Sequence, residues 1–294
     1  MMIDQFLNYL RYERNASLLT VQNYEASLRE FESYIIHKDD SLSLDRVDTD
    51  LIRDWMESLM DKGNSASTIN KKLSALRSFY RYALKRNLVK TDPAHPVTGP
   101  KKDKVLPMFL RESEMDRLLD DMQWGDSFKD VRARTIIILL YEAGLRRSEL
   151  AGLDDGDIDF AGRQLKVTGK RNKQRIIPFG EELASQLQHY LSARDKQFPA
   201  RTDKAFFLND KGCRVTVDQV YCTVREHLSY VTTLKKRSPH VLRHTFATAM
   251  LNHGAGLESI RGLLGHESAA TTEIYAHTTF EQLKRVYKEA HPRA

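Results

Sequence analysis

Cysteine is almost missing from this chain. Among its 294 residues only Cys213 and Cys222 occur. Two thiols do not make a disulfide framework, and a reducing compartment, the cytoplasm, is the expected home. Long apolar runs are missing too. The longest, residues 136–141, is far short of the ~20 residues that span a bilayer, so no membrane partner is expected. The first residues lack the basic and apolar regions of a secretory signal. Phosphate-cradling and dinucleotide glycine patterns are absent, because the glycines at 254 and 256 follow a helical pattern rather than a strand. No acidic cluster supplies the carboxylates of a two-metal nuclease. His240 and His244 have no cysteine or carboxylate nearby at zinc-like spacing, and His266-Glu267 lacks the second histidine of a zinc protease. No metal and no cofactor are therefore expected.

What remains is an ordinary globular composition, 41% hydrophobic and 29% charged, long enough for two domains with sizeable cores. The formal net charge of +6 hides an asymmetry. Residues 1–67 carry 7 basic and 13 acidic side chains, residues 68–104 carry 10 and 2, and the remainder carries 29 and 25. The middle block alone is +8 and reads either as a surface for a polyanion or as a solvated face and linker.

The first third is helical. Val21, Tyr24, Leu28, Phe31 and Ile35 repeat at helical spacing behind Ser17 or Thr20 as cap. A further helix starts at Asp48 or Thr49 and stops near Gly63. Another, after Ser67, sets Ile69, Leu73, Leu76, Tyr80 and Ala83 inward and lines up Arg77, Arg81 and Lys85 beside them. Lys71 belongs to the same helix. Residues 91–107 hold four of the eight prolines and the cations Lys101, Lys102 and Lys104, the composition of an extended linker. Beyond it, helical patterns cover 112–122 and 130–143. The run 136–141 alone fits a buried strand, but Arg132, Arg134 and Glu142 around it favour a buried helix ending at Gly144. Residues 164–168 and 175–178 predict a hairpin with a cationic turn, and helices follow. The expected fold is mainly α with a small β-sheet in the second domain (α+β): residues 1–90, a linker at 91–107, and residues 108–294.

Four spots in the second part stand out: Arg146 directly after a helix-ending glycine, the hairpin turn around Lys170, the trio His240, Arg243 and His244 on one helix, and His266 followed by Tyr275. From Arg163 to Arg175 there are six cations and no acid. Taken singly, each has a structural explanation: a surface arginine, a solvated turn, a core tyrosine. Together they suit metal-free chemistry on a phosphodiester. Two arginine forks neutralise phosphate charge. Lysine and histidine move protons, and a tyrosine attacks and holds the phosphoryl group.

These residues, in the segments GLRRSEL (144–150), VTGKRNKQRIIP (167–178), HVLRHTFATAML (240–251) and LLGHESAATTEIYAH (263–277), resemble the tyrosine recombinases, the phage integrase family. The likeness extends over essentially the whole chain. The last residues, 286–294, are similar to those of the Xer subfamily, and DVRARTIIILLYEAGLR (130–146) to its XerC type. The resemblance implies an N-terminal four-helix, SAM-like core-DNA-binding domain and a C-terminal catalytic domain closing as a clamp on double-stranded DNA. It implies Arg146 and Arg243 as phosphate clamps, Lys170 as general acid for the 5′-oxygen, and His240 as proton acceptor toward Tyr275. His266 would stabilise the transition state, and Tyr275 would be the nucleophile that forms a 3′-phosphotyrosyl link. It further implies a tetramer on two DNA sites, with homotetramer and heterotetramer with a second recombinase both open, and a C-terminal helix passed to a neighbour. Lys71, Arg77, Arg81, Lys85, Lys101, Lys102, Arg171 and Lys173 are the candidate DNA contacts. The chain departs from the family at Arg171, where glycine is common, and at Gly256, where aspartate often caps a helix.

The expected function is Xer-type site-specific recombination, resolving chromosome or plasmid dimers at cell division. A mobile-element integrase with the same chemistry is the alternative, disfavoured by a length that leaves little room for an added arm-binding domain. A relaxing topoisomerase shares the chemistry but needs neither tetramer nor sequence preference. A non-catalytic DNA-binding protein is the reading from another class.

Overall fold

A computed structural model describes residues 2–102, 108–169, 172–265 and 280–293, with backbone only at 280 and 281. The chain divides into two compact units, residues 1–105 and 106–294.

The first unit is a helical bundle. Helix α1 (Met2–Asn8) widens at Tyr9–Glu13 into a turn closed by Arg14 N–H donating to Tyr9 O at 3.0 Å. Helix α2 (Leu18–Lys38) starts where the Ser17 hydroxyl accepts from the Thr20 N–H, and α3 (Thr49–Asp61) where the Asp48 carboxylate accepts from the Leu51 N–H. Helix α4 (Ala66–Lys85) is capped by Ser65, so it opens just ahead of the expected position after Ser67. The apolar stripes read from the sequence meet in the core, where Phe31 packs on Trp55 at 4.8 Å and Phe6 meets Phe79 edge-on at 5.6 Å.

The proline-rich segment differs from a free tether over its first half. Ala94 and Val97 are buried in this core. Thr49 donates to Pro93 O, Asn70 donates to Pro100 O at 2.8 Å, and Arg77 donates to the carbonyls of Ala94 and Val97. A Cβ at Gly99 would lie 2.1 Å from Asn70 Oδ1, so any side chain at that point of the strap would displace the Asn70 amide that holds Pro100 O. Proline removes N–H donors but not acceptors, and the α4 side chains use the carbonyls that remain.

The second unit is built around α6 (Phe128–Ala143), buried on nearly every side from Val131 to Ala143. Ahead of it, α5 (Glu112–Asp116) loosens into a wider turn at Arg117–Asp121, so the pattern over 112–122 is helical but not one regular helix. Helices α8 (Glu181–Gln197), α9 (Val217–Val231) and α10 (Pro239–Asn252) share its core. A three-stranded antiparallel sheet runs β1 (Ile158–Asp159), β2 (Gln164–Thr168), β3 (Gln174–Pro178). The expected hairpin is present, with Leu165 opposite Ile177 and Val167 opposite Arg175. Strand β1, at two residues, is too short for periodicity to reveal. At the hairpin turn Asn172 adopts φ +60°, a conformation asparagine tolerates. Lys170 and Arg171 lie outside the described residues.

Short helices α7 (Arg147–Ala151) and α11 (Leu257–Leu264) flank the site. Gly256 precedes α11 with no side chain near its Cβ direction. The last helix, α12 (Phe280–Ala290), packs on its own unit, burying Tyr287, Ala290 and His291. Tyr287 closes over Glu142, whose fully buried carboxyl is pushed well above the usual range by desolvation. Arg293 then pairs with Asp116, Asp120 and Glu182 and fastens the terminus.

Candidate active site

The site begins at a glycine. Helix α6 ends at Gly144 with φ +58°, where a Cβ would stand 2.6 Å from Phe246 Cδ1 and 2.9 Å from Leu264 Cδ2. Only glycine takes that turn at that distance. The turn puts Arg146 immediately before α7 and points the Gly144 carbonyl at α10, where Arg243 Nη1 donates to it at 2.6 Å. Arg243 Nη2 donates to Leu264 O at 2.6 Å, and Arg146 Nη2 donates to Gly265 O at 3.1 Å. Leu264 and Gly265 are consecutive residues, so two arginines from different elements are held on adjacent carbonyls. Gly265, at φ +62°, closes α11. The end of a helix carries unpaired carbonyls and partial negative charge, which makes it a natural anchor for guanidinium groups.

One carboxylate serves this cluster. Glu149 accepts from the Arg146 N–H at 2.9 Å and from Arg146 Nη1 at 2.6 Å. Arg175, from β3, grips both of its oxygens, Nη1 to Oε1 at 3.0 Å and Nη2 to Oε2 at 2.8 Å. Burial alone would raise the Glu149 pKa. The bonds and charge of Arg175, then those of Arg146, outweigh it and hold the carboxyl at about 2. Arg243 is pushed the other way, down to about 9, by burial and then by the charges of Arg146 and Arg175, with Glu149 opposing. A guanidinium keeps its proton at neutral pH all the same. Among the described residues, three arginines thus surround one carboxylate, a surplus of two positive charges.

His240 lies one turn before Arg243 on α10, which starts with Pro239 in the first turn. As whole residues His240 and His244 keep contact with solvent, while Arg243 is buried. His240 titrates below the ordinary histidine range, through partial burial first and then the charges of Arg147, His244, Arg243 and Arg146. It is therefore neutral at pH 7 and able to accept a proton. Thr245, on the same helix, accepts from the Leu110 N–H at 2.9 Å and fixes the strand of chain entering the unit.

Of the six expected catalytic residues, the structure brings Arg146, His240 and Arg243 to one place. Lys170, His266 and Tyr275 lie outside the described residues, although Gly265, next to His266, abuts the cluster. Sequence reasoning passed over Glu149 and Arg175 as site residues. The signal for Glu149 was its spacing of three from Arg146, the spacing of a capping pair at a helix start. Arg175 had none beyond its place in a cationic hairpin. Lys173 is exposed. In the first unit Lys71, Arg81, Lys85, Lys101 and Lys102 are exposed, whereas Arg77 is half-buried and bonded to the strap. Among the described residues no group of three or more His, Cys, Asp or Glu is placed to hold a metal ion. No described helix is long and apolar enough to cross a membrane. A hollow of about 640 Å³ beside Arg293 is lined by Glu112, Asp116, Glu181 and Glu182, the wrong sign for a phosphodiester.

The phage integrase family matches residues 108–282, and the phage integrase N-terminal SAM-like domain matches residues 3–87. The chain is 36% identical over 318 residues to tyrosine recombinase XerC of Chlorobaculum tepidum, covering 99% of this chain and 94% of the relative. It is 34% identical over 294 residues to tyrosine recombinase XerD of Oceanobacillus iheyensis, covering 99% and 98%. The fold matches that of the Tn1549 transposon integrase in complex with transposon right end DNA, at TM-score 0.73 and 22% identity over 98% of both chains. With both of its units matched and an arginine-lined site at the join of α7, α10 and α11, the chain belongs to the phage integrase family of tyrosine recombinases.

Proposed function

We propose that this protein is a site-specific DNA recombinase of the Xer kind, cutting and rejoining double-stranded DNA to resolve chromosome or plasmid dimers in the cytoplasm. The observation that carries the reading is the surplus charge among the described residues of the site: Arg146, Arg175 and Arg243 against Glu149, with Arg146 and Arg243 fixed on the adjacent carbonyls of Gly265 and Leu264. A phosphodiester supplies the opposite sign, and pre-set guanidinium groups stabilise the charge that builds on its oxygens during displacement.

In this reading the Tyr275 oxygen attacks the scissile phosphorus, and His240 takes its proton. The bond to the 5′-oxygen breaks as Lys170 protonates that oxygen, leaving a 3′-phosphotyrosyl link and a free 5′-hydroxyl. A 5′-hydroxyl from the partner duplex then attacks the same phosphorus and releases the tyrosine. Arg146 and Arg243 hold the non-bridging oxygens throughout, and His266 assists in the transition state. One bond is exchanged for another of similar energy, so the reaction needs neither ATP nor metal. Residues 1–90 bind core DNA, 91–107 connect, and 108–294 catalyse. Four protomers hold two sites, either as one kind of chain or with a second, related recombinase.

The test is covalent trapping. A nicked duplex is built on an inverted-repeat site that the protein selects from random-sequence DNA. Wild-type protein is expected to form a DNA adduct stable to denaturation without magnesium, and Tyr275→Phe none. Sequence-selective binding with no adduct in either protein would make this a non-catalytic DNA-binding protein, and an adduct that persists in Tyr275→Phe would remove Tyr275 as nucleophile.

A further inference from the structure

Three consecutive carbonyls at the end of α11 take three arginines from three different elements. Leu263 O accepts from Arg175 Nε at 2.8 Å, Leu264 O from Arg243 Nη2 at 2.6 Å, and Gly265 O from Arg146 Nη2 at 3.1 Å. Arg146 and Arg243 match the family's phosphate-binding pattern; Arg175 does not. Its side chain is only 13% exposed, and Glu149, which it grips with both Nη atoms, is 3% exposed. Its three nitrogens are all engaged, two on Glu149 and one on Leu263 O. Its stem fills the space beside Gly265, where an added Cβ would meet Arg175 Cδ at 3.1 Å.

We infer that Arg175 is a positioning residue for the phosphate clamp, tying β3 to the end of α11 on one side and, through Glu149, to Arg146 on the other. Glu149 is the shared partner, so its place sets the place of the Arg146 guanidinium. Were Arg175 absent, Glu149 would keep only Arg146, and that ion pair would draw Arg146 toward the carboxylate and away from phosphate. Arg175 also holds the Leu263 carbonyl, and with it the two carbonyls that seat Arg243 and Arg146. The task requires a planar fork with a third donor at Nε. Lysine keeps the charge and most of the stem but cannot span both oxygens and a carbonyl at once.

This inference rests on the recombinase reading above, and its test separates the two. Arg175→Lys and Arg175→Gln are assayed as full-length protein for adduct formation on the nicked duplex. A second duplex carries a methylphosphonate at the scissile position, which removes the negative charge that Arg146 and Arg243 neutralise. Misplacement of a clamp by about an ångström costs on the order of 100-fold. Arg175→Lys is therefore expected to cleave the phosphodiester about 100-fold more slowly per folded molecule, with duplex affinity close to wild type and a melting temperature lower by a few degrees, because it cannot keep all the bonds to Glu149 and Leu263 O. On the methylphosphonate the deficit is expected to shrink to a few-fold, because a clamp that no longer matters cannot be missed. Arg175→Gln should lose more on the phosphodiester and show the same contraction. Cleavage equal to wild type would overturn the inference. So would an equal deficit on both duplexes, or joint loss of folding, binding and cleavage, which would assign Arg175 to the core alone. If wild-type protein forms no adduct, the recombinase reading itself fails, whatever the variants do.

Discussion

Two arginine clusters in the second unit differ in the balance of charge. Around the segment that follows α8, Arg194, Arg201, Lys204 and Arg214 face Asp154, Asp155, Asp195 and Asp203, four cations to four carboxylates. There the buried Arg194 bonds Asp155 at 2.6 Å, Asp195 at 2.8 Å and the carbonyl of Phe206 at 2.9 Å. Desolvation works against its charge, but Asp195 and Asp155 outweigh it and its pKa rises. Around α11, Arg146, Arg175 and Arg243 share Glu149, and the Arg243 pKa falls to about 9. Both clusters use arginine on backbone carbonyls, but Glu149 is sealed from water whereas Asp154, Asp155, Asp195 and Asp203 keep part of their surface in it. Balance marks scaffolding, and imbalance marks a surface shaped for an anion.

The contrast is broken most directly by removing one arginine from each cluster. A base with a lowered folded-state pKa opposes folding while it is charged, so Arg243→Gln relieves repulsion even as it gives up two carbonyl contacts. The expected result is a cleavage rate lower by on the order of 10²–10³, the scale of losing one transition-state donor, with a smaller fall in melting temperature than Arg194→Gln shows, since relieved repulsion offsets part of the loss of two carbonyl contacts. Arg194→Gln is expected to do the reverse. Its cleavage per folded molecule stays near wild type, and stability drops by about 2 kcal/mol. That is below the usual range for breaking a buried pair, because Asp155 and Asp195 keep contact with water. At about 2–4 °C per kcal/mol for a domain of this size, the melting temperature falls by roughly 4–8 °C. If both variants lose stability alike and cleavage alike, the distinction between the clusters is wrong.

A second way to sharpen it uses acid. The Glu149 pKa is depressed from 4.5 to about 2, so its contribution to stability is fully present above pH 4.5 and is lost as pH falls toward 2. The depression corresponds to about 3 kcal/mol. Glu149→Gln is expected to lower stability by an amount of that order at pH 7 and to flatten its decline between about pH 5 and 2. Denaturant unfolding at pH 7 and pH 3 measures both. An unchanged acid dependence would mean that Glu149 is not held by the two arginines.

How much of this was legible in the sequence follows from what each feature depends on. The stripe Ile69, Leu73, Leu76, Tyr80, Ala83 was readable because helix periodicity is local, and all five are buried. The ambiguity of residues 136–141 resolved to a helix that runs from the Ser127 cap to Gly144 and contains Arg132, Arg134 and Glu142. The clamp residues Arg146 and Arg243 were readable through segment resemblance, not through physics, since they stand 97 positions apart. Arg175 and Glu149 stayed hidden for a related reason. Their roles exist only after β3, α7 and α11 converge, and an arginine in a cationic hairpin looks the same whether it grips a buried carboxylate or faces water. The packing of residues 93–100 on α4 was not legible in the composition of an extended linker, because proline reports what the backbone cannot donate and says nothing of which side chains use its carbonyls.

The same test of balance applies to the basic row of α4, where the expected effect is smallest. Arg77, Arg81 and Lys85 are spaced alike, yet Arg77 is bonded to Ala94 and Val97 while Arg81 and Lys85 are exposed. If the exposed pair meets the DNA backbone, each lost cation lowers the slope of log affinity against log salt by about one. Arg81→Ala/Lys85→Ala is then expected to reduce that slope by about two and leave the melting temperature within error. Arg77→Ala should leave the slope unchanged and loosen the strap, seen as faster hydrogen exchange across residues 93–100. Retardation titrations from 50 to 200 mM salt separate the two. A slope that falls equally for Arg77→Ala would put its guanidinium on phosphate rather than on the strap, and a slope indifferent to all three would make the row a solvated face.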